Sequence, residues 1–216
     1  MTNLQKRILT SLIILPLSFF FIIKGGYFLL SFLLFIFFLA NYELFSVFNK
    51  KFTILFLDLV LITSLFSIFY LSERNEVTFI LLIWAIILSI CSDVGGYIFG
   101  KIFKWKKFTK ISPKKTFSGV FGSFIFSIIS LFIINNLDLK GSNNINFLEV
   151  KFFFIAIIFS LVAQLGDLTI SYFKRLEKIK DTGKILPGHG GIFDRIDGLM
   201  FVLIITIIFY KINFLP

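Results

Sequence analysis

Residues 77–100 read VTFILLIWAIILSICSDVGGYIFG, an uncharged apolar run that ends in one aspartate and a pair of glycines. A helix needs roughly 20 apolar residues to cross a bilayer, and this stretch has that length. Six similar runs flank it, at about 8–23, 27–48, 52–71, 117–137, 151–173 and 199–215. The chain is 57% apolar over 216 residues, with a mean hydropathy of +0.95. No soluble core of this size hides that much apolar surface. The expected fold is therefore all-α, a polytopic integral membrane protein of about seven transmembrane helices. The first run contains Pro16 and leads into Lys24-Gly25-Gly26-Tyr27, which offers no small-x-small cleavage site. It reads as an uncleaved span rather than a secretion signal.

Basic residues gather on the cytoplasmic side of membrane proteins, so their positions predict orientation. With the N-terminus inside, Lys6, Arg7, Lys50, Lys51, the seven lysines of 101–116 and the six basic residues of 174–195 are cytoplasmic. Only Lys24, Arg74, Lys140, Lys151 and Lys211 fall on the other side or at its span ends. The net charge of +10 is thus explained by topology and by attraction to anionic membrane lipids. Nucleic acid is not expected as a partner, because the lysines sit in two membrane-bounded loops without recognition elements between them. The single cysteine, Cys91, lies inside a span and provides no disulfide or thiolate framework.

Carboxylates inside a span are costly, about 2.5–3.5 kcal/mol at its centre, and usually face protein or a watery cavity. Glu43 and Asp58 stand toward cytoplasmic span ends within reach of Lys50 and Lys51, and an interfacial structural role is expected for both. Asp93 and Asp167 instead belong to clusters. Asp93 occurs in Ser92-Asp93-Val94-Gly95-Gly96-Tyr97, where small residues permit close approach. Gln164, Asp167, Ser171, Lys174 and Arg175 recur at spacings of three and four, which places them on one helical face. End snorkelling accounts for Lys174 and Arg175; it does not account for the deeper Gln164, Asp167 and Ser171.

Downstream, residues 181–198 read DTGKILPGHGGIFDRIDG. Asp194 and Asp197 are three apart at the start of the last span, and if Asp167 approaches them, three carboxylates meet at the membrane boundary. An oxygen-rich, sulfur-free set suits Mg²⁺, which would relieve the repulsion. Gly188, Gly190 and Gly191 let backbone lie close to phosphate oxygens. His189 is the only histidine, so the paired histidines of a zinc protease are excluded. It contacts a phosphate, orients a carboxylate, or serves the turn alone. Lys110-Ile111-Ser112-Pro113-Lys114-Lys115-Thr116 offers ammonium and hydroxyl groups beside a helix start, a pattern suited to anions, although a solvated basic loop explains the lysine count equally well.

Together these residues resemble the membrane-bound phosphatidate cytidylyltransferases, also called CDP-diglyceride synthases. Their signature is matched without a gap by Ser171, Lys174, Arg175, Lys180, Asp181, Gly183, Leu186-Pro187-Gly188-His189-Gly190-Gly191, Asp194-Arg195 and Asp197. Ser92-Asp93-x-Gly95-x-Tyr97, Ser112-Pro113-x-Lys115-Thr116 and Gln164-x-Gly166-Asp167 look like the family's upstream pieces. The motif resemblance covers roughly 90–216. Where the family carries a glutamate this chain has Ser118, which is assigned no role. The chain is also shorter than typical members, so fewer N-terminal spans are expected.

The resemblance implies a reaction of CTP with phosphatidic acid that yields CDP-diacylglycerol and pyrophosphate, at the cytoplasmic face of a bacterial-type inner membrane. One membrane domain over 1–216 is expected, with N-terminal spans at about 1–76 and the catalytic part at about 77–216. It further implies Mg²⁺ held by Asp167, Asp194 and Asp197, a monovalent cation such as K⁺ beside it, and a homodimer. Ser171, Lys174, Arg175, Asp181 and His189 are the expected catalytic residues. Asp93, Ser112, Lys115, Thr116, Gln164, Lys180, Gly190 and Arg195 are expected to bind substrate. Two other classes use similar features. A CTP-dependent polyprenol kinase would release CDP and a lipid phosphate, and a transporter would use Asp93 and Asp167 as intramembrane ion sites.

Overall fold

The computed structural model describes residues 3–109, 111, 112, 115–137, 139, 145–183, 185 and 190–216, the side chains of 3–9, 11 and 15 excepted. Among the described residues there are seven helices and no strand: α1 (Asn3–Lys24), α2 (Gly26–Val47), α3 (Lys51–Glu73), α4 (Glu76–Phe103), α5 (Phe117–Asn135), α6 (Val150–Leu176) and α7 (Phe193–Lys211). Helix is the expected outcome for apolar runs, because in hydrocarbon every backbone polar group must be satisfied within its own segment. α2 to α6 are long and apolar enough to cross a membrane. Large apolar side chains such as Phe35, Phe38, Phe45, Phe52 and Phe66 point outward and are exposed, as a lipid-facing surface requires.

Local chemistry sets the breaks. Gly25 and Gly26, at φ 61° and 54°, turn the chain between α1 and α2. α4 opens on a capping box in which Asn75 Oδ1 accepts the Thr78 N–H at 2.8 Å and Thr78 Oγ1 accepts the Asn75 N–H at 3.2 Å. α7 departs from the sequence expectation. It runs from Phe193 to Lys211 rather than from about 199 to 215, so Asp194, Arg195 and Asp197 are helical, and the earlier end leaves its uninterrupted apolar part shorter than expected.

α4 is the central helix, packed against α3, α5, α6 and α7. Its tightest neighbour is α5, because Gly95 and Gly96 face Gly119 and Gly122 with backbone almost touching backbone. A Cβ on Gly122 would meet the Gly95 carbonyl oxygen at 2.5 Å and run into Phe99, and one on Gly119 would stand 2.9 Å from the Gly96 carbonyl oxygen. Ser123 Oγ donates to the Ser92 carbonyl at 2.8 Å across the same seam. Gly122→Ala is therefore expected to cost about 1–3 kcal/mol by overpacking, read as a lower unfolding temperature in detergent; an unchanged temperature would contradict the close seam.

Two apolar clusters hold the bundle. One surrounds Trp84, whose ring centroid lies 5.5, 5.7 and 5.4 Å from those of Phe147, Phe152 and Phe159. Its Nε1 donates to Ser130 Oγ at 3.2 Å. The other joins α2, α3, α6 and α7 through Leu44, Leu57, Leu61, Ile170 and Phe193. At that end the C-termini of α2, α4 and α6 meet the N-termini of α3, α5 and α7. Glu177, after α6, accepts the Lys50 N–H at 3.3 Å before α3, which closes this end of the bundle.

Candidate active site

The loop from Lys104 to Thr116 leaves α4 through a left-handed residue, Lys104 at φ 48°. It folds back on itself: Phe108 N–H donates to the Lys115 carbonyl at 2.8 Å and Phe117 N–H to the Lys106 carbonyl at 3.1 Å. This pairing aims Lys115 inward, where its Nζ lies 2.6 Å from Asp167 Oδ2 and donates to the Gln164 carbonyl at 3.1 Å. Thr116 is the N-cap of α5, its Oγ1 accepting the Gly119 N–H at 3.1 Å. Ser118 is buried and shares a 3.0 Å hydrogen bond with the Thr116 hydroxyl, so the residue assigned no role steadies the cap.

On α6 the expected polar face is present. Ser171 Oγ donates to Asp167 Oδ1 at 3.2 Å, and Gln164 Nε2 donates to Ser160 Oγ at 3.4 Å. Lys174 is 8% exposed and its Nζ lies 2.7 Å from Asp194 Oδ1. Arg175 leaves the face: its guanidinium is exposed and donates to the Ile179 carbonyl at 2.9 Å.

α7 supplies the last wall. Asp194 Oδ2 accepts the Thr182 N–H at 2.8 Å and the Gly191 N–H at 3.0 Å. It thereby ties the start of the α6–α7 connection to its end and places an acid at a helix N-terminus. Gly190 sits at φ 88° beside it, and a Cβ there would stand 2.9 Å from Asp194 Oδ2. Asp197 Oδ1 accepts the Gly198 N–H at 2.8 Å.

These pieces enclose one cavity of about 350 Å³, lined by Asp93, Gly96 and Tyr97 of α4, Ser112, Lys115 and Thr116 of the loop, Gly119, Val120 and Ser123 of α5, Gln164 and Asp167 of α6, and Asp194 and Asp197 of α7. That volume is in the range of small-ligand sites. Of the residues singled out from sequence, Lys180, Asp181 and Arg195 are exposed and not part of the lining, although the Arg195 charge acts on Asp93. His189 lies outside the described residues.

Four carboxylates thus line one cavity, and those of Asp93, Asp167 and Asp197 repel one another. The expected meeting of Asp167, Asp194 and Asp197 on one cation position is not formed: among the described residues no three Asp, Glu, His or Cys side chains are so gathered. Asp167 turns to Lys115 and Asp194 to Lys174, because each carboxylate takes the ammonium within reach. The donor set itself fits a hard cation, being oxygen-only, sulfur-free and acidic in excess of the lysines that neutralise it.

Glu43 was misplaced by sequence reasoning. It is 1% exposed, and its Oε2 accepts the Ile192 N–H at 2.7 Å. It faces the α6–α7 connection, not Lys50 or Lys51. Its signal was in view, a lone acid in an apolar run, but its partner is 149 positions away. Asp58 likewise keeps Oδ1 buried with no hydrogen-bond partner among the described residues.

The profile of the cytidylyltransferase family matches residues 49–213. Similar chains include a protein named phosphatidate cytidylyltransferase from Staphylococcus epidermidis, 40% identical over 139 residues that cover 64% of this chain and 51% of that protein. Others of that name come from Helicobacter pylori, 41% identical over 125 residues (56% and 43%), and Staphylococcus aureus, 41% identical over 140 residues (64% and 51%). The chain spans about half the length of these curated relatives.

Proposed function

The chain belongs to the cytidylyltransferase family, and from that premise we propose that it transfers the cytidylyl group of CTP to phosphatidic acid, forming CDP-diacylglycerol and pyrophosphate. The observation that carries this reading is the cavity in which Lys115 and four carboxylates from α4, α6 and α7 face one another. Its position at one end of the bundle suits a reaction between a lipid phosphate anchored in the bilayer and a water-soluble triphosphate. We place that end, which gathers the basic loops, on the cytoplasmic side of a bacterial inner membrane.

A phosphatidate oxygen attacks the α-phosphorus of CTP. The new P–O bond forms as the bond from that phosphorus to the oxygen bridging to the β-phosphorus breaks, and pyrophosphate leaves with the electron pair. The attacking phosphate is already anionic near neutral pH, so no general base is required. What the protein supplies is position and charge. Lys115, held by Asp167 and the Gln164 carbonyl, presents an ammonium to phosphate oxygens. Ser171 orients Asp167, and Lys174 orients Asp194. Asp167, Asp194 and Asp197 would hold Mg²⁺, with a monovalent cation such as K⁺ beside it, which requires Asp167 and Asp194 to exchange their lysine partners for the cation. When bound, Mg²⁺ neutralises charge on the triphosphate and on the departing pyrophosphate.

The test is incubation of the purified full chain in detergent with phosphatidate, CTP and Mg²⁺. CDP-diacylglycerol and pyrophosphate are expected in equal amounts, and chelation of the cation is expected to stop their formation. CDP with a lipid diphosphate, the γ-phosphoryl group having passed to phosphatidate, would replace this reading by a kinase reaction, and turnover undiminished by chelation would remove the metal from it.

A further inference from the structure

Glu43 lies on α2, outside the residues that match the family profile. A carboxyl group with 1% exposure is expensive to bury and is retained where partners offset the cost. Its Oε2 holds the Ile192 N–H at 2.7 Å, immediately before α7. The Thr182 hydroxyl and the Phe193 N–H also bear on this buried carboxyl. Gly183 is held to glycine by this carboxyl, and Gly191 by the carboxyl together with Thr182 and the Gly183 backbone. A Cβ on Gly183 would stand 2.8 Å from Glu43 Cδ, and one on Gly191 would stand 2.6 Å from Glu43 Oε2 and overlap Thr182 Oγ1. Asp194 meanwhile binds the N–H groups of Thr182 and Gly191. Acids from two helices therefore close on the two ends of the α6–α7 connection, Glu43 from the α2 side and Asp194 from the cavity side.

We propose that Glu43 is a positioning residue for the transfer reaction, seating Thr182–Gly183 and Gly191–Ile192 so that Asp194, with Gly190 beside it, is held at the cavity. The inference rests on the reading of that cavity as the nucleotide site. Glu43 hydrogen-bonds backbone before α7 rather than a lining side chain, and its charge is felt by Asp194.

The experiment compares Glu43→Ala and Glu43→Gln in the full chain in detergent. Glutamine keeps an oxygen for the Ile192 N–H and turns an N–H₂ toward the Thr182 hydroxyl, which can accept as well as donate. Glu43→Ala is expected to lower kcat/KM for CTP on the order of tenfold to a hundredfold, the scale of a displaced catalytic element. Glu43→Gln is expected to restore it to within about threefold, since the acceptor rather than the charge holds the seat. Amide exchange at Thr182 and Ile192 should quicken in Glu43→Ala and not in Glu43→Gln, with α4–α5 amides unchanged in both. If Glu43→Ala does not fold, Gly183→Ala makes the same test, because its methyl displaces the carboxyl while α2 stays whole. Wild-type kinetics and exchange in a folded Glu43→Ala or Gly183→Ala protein overturn the proposal, as does a Glu43→Gln protein as impaired as Glu43→Ala. Absence of CDP-diacylglycerol from the wild-type protein would sink the reaction reading alone, and amide exchange would still decide the seat.

Discussion

Asp167→Asn lowers CDP-diacylglycerol formation on the order of 10²–10³-fold while leaving the protein folded. Asp167 is the junction of the cavity: Oδ2 holds Lys115 Nζ at 2.6 Å and Oδ1 accepts from Ser171 at 3.2 Å. Asparagine preserves the shape and one acceptor. It removes the charge that holds the Lys115 ammonium in place and that a cation would meet. Stability should barely change, since the pair is partly open to solvent, with side chains 22% and 33% exposed, and such pairs contribute about 1 kcal/mol or less. Size-exclusion chromatography and the CDP-lipid assay separate the two effects. Near-normal turnover in a folded Asp167→Asn protein would refute the assignment of this carboxylate to the chemistry.

Lys174→Met acts in the opposite order, on the fold first. The Lys174–Asp194 pair is 2.7 Å long, with side chains only 10% and 6% exposed. Removing one partner strands the other's charge in a poorly solvated place, at a cost of roughly 3–5 kcal/mol, partly offset here by the two backbone N–H groups that Asp194 keeps. A clear drop in unfolding temperature is expected, with activity lost alongside it. Asp194→Asn removes the stranded charge from the same pair, so adding it to Lys174→Met should recover part of the stability without recovering turnover. A Lys174→Met protein as stable as the wild type would show that the pair is not what anchors α7 to α6.

Much of this arrangement was legible in the residues because it depends on local repetition. Apolar runs of bilayer length became helices within a few residues of their expected bounds, and the spacings Gln164, Asp167, Ser171, Lys174 placed four groups on one face of α6 whatever surrounds that helix. The exception, α7, begins six residues early. Hydropathy stops counting at Asp197, whereas the helix extends through the charged turn because Asp194, in its first turn, suits the positive end of the helix and Lys174 neutralises it.

What hydropathy and spacing leave open is pairing, which is a matter of distance between segments far apart in the chain. Lys174, expected to be catalytic, and Lys115, expected to bind substrate, each meet an acid instead: Lys115 meets Asp167 because the loop before α5 folds back, and Lys174 meets Asp194 where α7 packs on α6. Arg175, next to Lys174, points away because one residue on a helix turns the side chain by about 100°. Glu43 shows the division most plainly. Composition marked it as a costly acid in an apolar helix; only the approach of α7 to α2 decided that an amide 149 residues away would meet that cost, and that Gly183 and Gly191 had to be glycine to let it.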